Sequence, residues 1–232
     1  MKGIARRLKI LAKAFIGKEI LIGPDCLCEK ERFGSEYGGW DVAVSNLSAH
    51  SVVYSFGIGE DASFDIALIK KYDLVIHAFD PTPKSIEWVK RQNFSQNFVM
   101  HSCGLAAFDG EVSFNPPKNP DHVSYTILDR PYTKYKAIQV PVMKLSTIMQ
   151  KLGHTNIDIL KMDIEGAEYD VIKNVYESGI RPAQILVEFH HRFPNVGVKK
   201  TKEAIGCIRS MGYQLFSVSD TNEEYCFLRL PN

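Results

Sequence analysis

From Val52 onward, short apolar runs alternate with stretches of helical periodicity, and this alternation is the feature that most constrains the fold. Parallel strands must be joined by crossovers, and helical crossovers cover both faces of the sheet they connect. Strands are expected at 52–56, 74–79, 98–101, 157–162 and 185–189, with helices near 63–71, 83–92, 146–152, 167–178 and 198–211. Two further strands, 214–218 and 225–230, are separated by the turn-rich Asp220-Thr221-Asn222. That link is too short for a crossover helix, so an antiparallel hairpin at the sheet edge follows. The stretch 111–139 contains Pro116, Pro117, Pro120 and Pro131 and reads as strands and loops inserted between the third and fourth core strands. Insertions of this kind often shape pockets. The expected fold is α/β, with a Rossmann-like, seven-stranded, mostly parallel sheet that ends in an antiparallel C-terminal hairpin.

A chain of 232 residues with 45% hydrophobic content can bury one full core. We divide it into a basic helix and lead-in segment, 1–50, and the main domain, 51–232. The net charge of +1 provides no global field for a polyanion, so no nucleic-acid partner is expected. Cys26, Cys28, Cys103, Cys207 and Cys226 form no Cys-x-x-Cys pair, which suits reduced thiols in a cytoplasmic protein. No apolar run of about 18 residues is present, and the N-terminus lacks a signal-peptide pattern. Within the first 18 residues Lys2, Arg6, Arg7, Lys9, Lys13 and Lys18 accompany Ile4, Leu8, Leu11 and Phe15 at near-helical spacing. The expectation is an amphipathic helix that covers the domain, with weak contact to an anionic membrane surface or docking on a partner as the other readings.

The segment VVYSFGIGED, 52–61, runs from a buried strand through a glycine turn into a helix, so the backbone at Gly57 and Gly59 can approach a ligand closely. With Ala62 the glycines satisfy G-x-G-x-x-G/A. Asp80, followed by Pro81, ends the next strand about 20 residues on, where an acid can accept hydrogen bonds from ribose hydroxyls. A pyrophosphate would be repelled by Glu60 and Asp61 at the helix start, whereas the cationic S-adenosylmethionine would be favoured there. Cys103, Gly104 and Leu105 follow the third strand, where the chain is expected beside adenine.

The most specific segment is ILKMDIEGAEYDVI, 159–172, in which a buried strand runs into a helix through Asp163, Glu165, Gly166 and Glu168. Continued strand spacing would aim Asp163 and Glu165 at the crevice above the sheet's carboxyl ends. In QILVEFHHRF, Glu188 and His190 share one face and His191 takes the other. The DIEGAE, HAFDPTP and VEFHHRF segments, with GSEYGGW at 34–40, resemble the FkbM-type methyltransferases over roughly 33–230. The resemblance implies S-adenosylmethionine as cofactor, a Rossmann-like class I fold and methylation of an oxygen on a sugar, glycan or small natural product. Ser55 departs from the pattern, because many members carry an acid just before the glycine turn; the expected ammonium contact moves to Glu60 or Asp61.

Methyl transfer is an in-line displacement in which positioning supplies most of the acceleration, and a general base adds about 10²- to 10⁴-fold. His190 is the first choice for that base, with Asp163 and Glu165 next. The same region admits a second reading, in which Asp163, Glu165, Glu188 and His190 gather a divalent cation, although no metal is required by the spacing alone. Two rival functions remain. An NAD-dependent sugar oxidoreductase would use Tyr132 and Lys136, which have Tyr-x-x-x-Lys spacing but lie in a proline-flanked loop. A non-catalytic adenosine-ligand module would keep the glycines and Asp80 and need no base.

Overall fold

The computed structural model describes residues 2–119, 125–128, 133 and 136–230. Helix α1, Lys2–Phe15, opens the chain and leaves Leu8, Leu11 and Phe15 exposed. An antiparallel ribbon follows, β1 (Lys30–Phe33) and β2 (Trp40–Ala43). The main alternation then runs β3 (Val53–Phe56), α2 (Ser63–Tyr72), β4 (Ile76–Phe79), α3 (Pro83–Lys90) and β5 (Phe98–His101). The inserted stretch forms a three-stranded sheet from β6 (Gly104–Leu105), β7 (Gly110–Phe114) and β8 (Ile138–Met143), in the order β6-β8-β7. After it come α4 (Leu145–Leu152), β9 (Ile159–Met162), α5 (Glu168–Ser178), β10 (Gln184–Glu188), α6 (Gly197–Ser210), β11 (Tyr213–Val218) and β12 (Glu224–Arg229). Pro120 and Pro131 lie outside the described residues.

The seven-stranded sheet has the order β11-β12-β10-β9-β3-β4-β5. The expected hairpin is present, and β12 alone runs against its neighbours, pairing antiparallel with both β10 and β11. From β3 the chain winds outward through β4 to β5 and then returns to β9 on the other side of β3. That reversal opens a crevice at the carboxyl ends of β3 and β9, the topological position where doubly wound sheets hold ligands.

Alternation along the strands divides the core in two. Tyr54, Phe56, Leu160, Met162 and Val187 face α4, α5 and α6, which contribute Ile148, Ile172 and Ile205 among others. Val53, Ile76, Ile159 and Leu186 face the other side, where α2 and α3 supply Phe64, Leu68 and Val89. On this second side the ribbon adds Phe33, Trp40 and Val42, so the lead-in segment covers sheet that the two helices leave bare. Among the described residues, no helix is long and apolar enough to cross a membrane.

Candidate active site

The glycine turn after β3 is set by steric necessity. Gly57 has φ +81°, and a Cβ there would lie 1.8 Å from the carbonyl oxygen of Asp163 at the end of β9. Gly59 is also left-handed, at φ +56°. Asp80, buried at the end of β4, holds the turn: its Oδ2 accepts from the amides of Ile58 and Gly59 at 3.1 and 2.9 Å. Its Oδ1 accepts from the Thr82 amide at 2.8 Å and the Thr82 hydroxyl at 2.6 Å. A carboxylate offers about four acceptor sites, and all are taken. Asp80 thus braces the turn while lining the cavity where the ribose contact is expected.

Asp61 ties the lead-in segment to the same turn. Its Oδ1 accepts from the Ser63 amide at 2.8 Å and its Oδ2 from the Ser35 hydroxyl at 2.7 Å. Burial works against the charged form, but these bonds hold the carboxyl below its usual range. Gly38 has no room for a side chain, since a Cβ would come within 2.7 Å of Asp61 Oδ2. The 34–39 loop therefore folds directly onto the start of α2. Glu60 pairs with Lys84 at 3.5 Å, so a cation does stand beside this acidic turn.

A second cation lies beneath it. Lys161, only 5% exposed, donates from Nζ to the carbonyls of Phe56 and Gly57 at 3.2 and 2.9 Å and faces the Trp40 ring. Its strand partner is Ser55, and the fully buried Asp65 of α2 sits in the same pocket. Burial pushes the Asp65 carboxyl up to about 6 against the pull of Lys161. Sequence reasoning missed both residues. The available signal was a lysine inside a strand whose neighbours are all apolar, because a charge buried in a two-sided sheet needs a partner.

The acids of the 159–172 segment and His190 converge as the sequence suggests, by a different backbone route. Strand β9 ends at Met162, and the chain turns through Glu165 at φ +52° and Gly166 at φ +104°. Glu168, fully buried and outside the expected site, organises this turn. Its Oε1 accepts from the Ile164 amide at 3.0 Å and its Oε2 from the Gly166 amide at 3.0 Å, while His190 Nδ1 lies 3.0 Å from Oε1. The other ring nitrogen, Nε2, stands 3.8 Å from Asp163 Oδ1, 3.7 Å from Glu165 Oε2 and 3.9 Å from Glu188 Oε1. Burial opposes protonation of this imidazole, but Glu168 and then Asp163 and Glu165 raise its pKa well above the usual value. Burial likewise pushes the Glu188 carboxyl up to about 9, reinforced by Asp163.

Asp163, Glu165 and Glu188 border a cavity of about 1290 Å³. Of the expected residues, Gly57, Gly59, Glu60, Asp61, Asp80, Pro81, Gly104, Leu105, Asp163, Glu165 and Glu188 line it. Cys103 does not: it is buried in the core, where burial raises its thiol pKa. His190 does not line it either; it sits 6% exposed behind the carboxylates. Its Nδ1 pairs with Glu168, and its Nε2 faces the lining carboxylates of Asp163, Glu165 and Glu188. His191 anchors the lead-in segment through Glu19. Tyr132 of the dehydrogenase reading lies outside the described residues.

The sheet order and a crevice built on a glycine turn define a Rossmann-like class I methyltransferase fold. Residues 51–215 match the family described as "Methyltransferase FkbM domain". The chain belongs to this FkbM methyltransferase family. It is 24% identical over 185 residues to "Probable methyltransferase-like protein 24" of Rattus norvegicus, covering 78% of this chain and 42% of that protein. The Homo sapiens protein of the same description is 24% identical over 156 residues, covering 66% of this chain and 36% of its own length. The chain thus spans less than half the length of the curated relatives it matches. The crystal structure of Methyltransferase FkbM from Methylobacillus flagellatus KT shares the fold, with a TM-score of 0.52 at 16% identity over 80% of this chain and 45% of that one.

Proposed function

We propose that the crevice binds S-adenosylmethionine and that the protein methylates an oxygen on a sugar, glycan or small natural product. The observation that carries this reading is the meeting of Gly57 with Asp163, which joins a close-approach backbone turn to a carboxylate cluster in one cavity. Carboxylates greatly outnumber cations in the lining, where Arg6, Arg32 and Lys161 face Glu60, Asp61, Asp65, Asp163, Glu165, Glu188 and further acids. Such a lining favours a cationic ligand and disfavours the pyrophosphate of a dinucleotide.

Bound there, S-adenosylmethionine supplies a methyl group activated by its sulfonium. The chain's own part is placement and charge. Asp163 reaches both ends of the site: its amide donates to the Phe56 carbonyl at 3.1 Å, its carbonyl packs on Gly57, and its side chain joins Glu165 in the crevice. An acceptor hydroxyl is a poor nucleophile at neutral pH, so the group that meets it must take up or offset its proton. Asp163 and Glu165 are the residues positioned for that task.

Calorimetry with S-adenosylhomocysteine and NAD tests the cofactor, and methyl transfer to a panel of sugars and glycans tests the acceptor class. Binding of S-adenosylhomocysteine but not NAD is expected. Tight NAD binding without a response to S-adenosylhomocysteine would overturn the reading.

A further inference from the structure

We propose that Asp163, Glu165 and His190 form a binding site for one divalent cation of the manganese or magnesium class. One ligand atom from each residue lies within 4.8 Å of the others. Ligands about 2.1 Å from a cation stand roughly 3 Å apart when adjacent and roughly 4.2 Å apart when opposite. The observed spacings of 3.7 and 3.8 Å from His190 Nε2 fall inside that span. Glu188, 3.9 Å from the same nitrogen, stands beside the ligands, where a cation would favour loss of the proton that burial holds on its carboxyl.

Carboxylates alone would not make this a metal site, and two further observations point to a ligand. First, His190 is only 6% exposed, and its Nε2 is aimed into the cluster with each carboxylate oxygen beyond hydrogen-bond distance. Second, Asp163 Oδ1 is shut off from solvent and has no hydrogen-bond partner. Nδ1 faces Glu168, whose two oxygens are held by the Ile164 and Gly166 amides. A carboxylate on Nδ1 orients the ring, and a cation at Nε2 would displace the proton carried there, the outer-sphere arrangement found behind metal-bound histidines.

Two carboxylates and one imidazole suit a borderline-hard cation, with the remaining positions open toward the crevice for water or an acceptor oxygen. A cation there lowers the pKa of a coordinated hydroxyl and so takes over the work of a protein base. The favoured acceptor is then one that can chelate, a vicinal diol or a hydroxyl beside a carbonyl. This catalytic role rests on the methyl-transfer reading; the binding site does not.

The test is titration of Mn²⁺ into the full chain, followed by the electron paramagnetic resonance of free Mn²⁺ with no methyl donor present. Uptake of one equivalent is expected. Glu165→Gln and His190→Ala should each weaken it at least 10-fold, and Glu168→Gln by about 10-fold through loss of the fixed ring orientation. The partly exposed Glu165 keeps the test valid if His190→Ala does not fold. No uptake by the parent at millimolar Mn²⁺, or unchanged uptake in Glu165→Gln, overturns the inference. Full methyl transfer in the presence of a chelator would overturn the cation's catalytic role while leaving the methyltransferase reading intact. Mn²⁺ uptake with the expected losses, but no response to S-adenosylhomocysteine, would support the cation site and sink the cofactor reading instead.

Discussion

A methyl group on Gly57 would sit 1.8 Å from the Asp163 carbonyl oxygen, at a left-handed backbone angle. Gly57→Ala must therefore push β3 and β9 apart at the crevice. It should cost about 2 to 4 kcal/mol, the sum of left-handed strain and overpacking, and abolish S-adenosylhomocysteine binding; calorimetric unfolding and titration measure both. Asp80→Asn keeps the size of the side chain but leaves one acceptor oxygen where four donors now converge. Its expected outcome is a joint loss of stability, by about 2 to 4 kcal/mol, and of cofactor affinity. Intact stability with weakened binding would show instead that Asp80 meets the ligand directly. At this scale the sequence already pointed to the carboxylates of Asp163, Glu165 and Glu188, because acids clustered at the ends of buried strands have few other uses. Glu168 escaped notice because it looks like an ordinary first-turn helix acid, and only the fold shows it bonding backward to the turn that precedes it.

Tyr54, His77, His101 and His154 gather where β3, β4, β5 and the end of α4 meet. Tyr54 Oη lies 2.7 Å from His154 Nδ1, and His77 Nδ1 lies 3.1 Å from His101 Nε2. Burial, with His101 and His154 as neighbours, pushes His77 down to about 4. The unfolded chain takes up this proton near 6.5 and the folded protein only near 4, so stability is full above 6.5 and falls as the pH drops from 6.5 to 4. His77→Phe should flatten that decline in the melting temperature; an unchanged slope would assign it elsewhere. Core elements were legible to within about two residues, since apolar period and turn chemistry fix them locally. The β1–β2 ribbon was not. Lys30-Glu31-Arg32 exposes its charges and only Phe33 is buried, so the packing that makes it a strand comes from Phe64 and Trp40 far along the chain or across the ribbon.

Across the whole molecule, Glu19 is the point where distant segments meet. Fully buried, it pairs with His191, accepts from Arg192 at 2.9 and 3.1 Å, and accepts from Asn222 at 3.0 Å. Glu19→Ala strands those donors and should cost about 3 to 5 kcal/mol in thermal or denaturant unfolding, with the isosteric Glu19→Gln costing less. A loss below about 1 kcal/mol would mean that the lead-in segment contributes little. No pattern near Glu19 hints at this, because the partners are separated by more than 170 residues of chain. The sheet order sharpens the point, since β12 lies between β10 and β11. As the chain emerges from the ribosome, β10 must wait with an open edge until residues 224–229 arrive, and Glu19 must wait for Asn222. The segment around Glu19 thus finds its place only after the 203 residues to Asn222 have been made. The open edge of β10 is exposed to misassembly until residues 224–229 emerge, so slowing translation between β10 and β12 should lower the yield of folded protein.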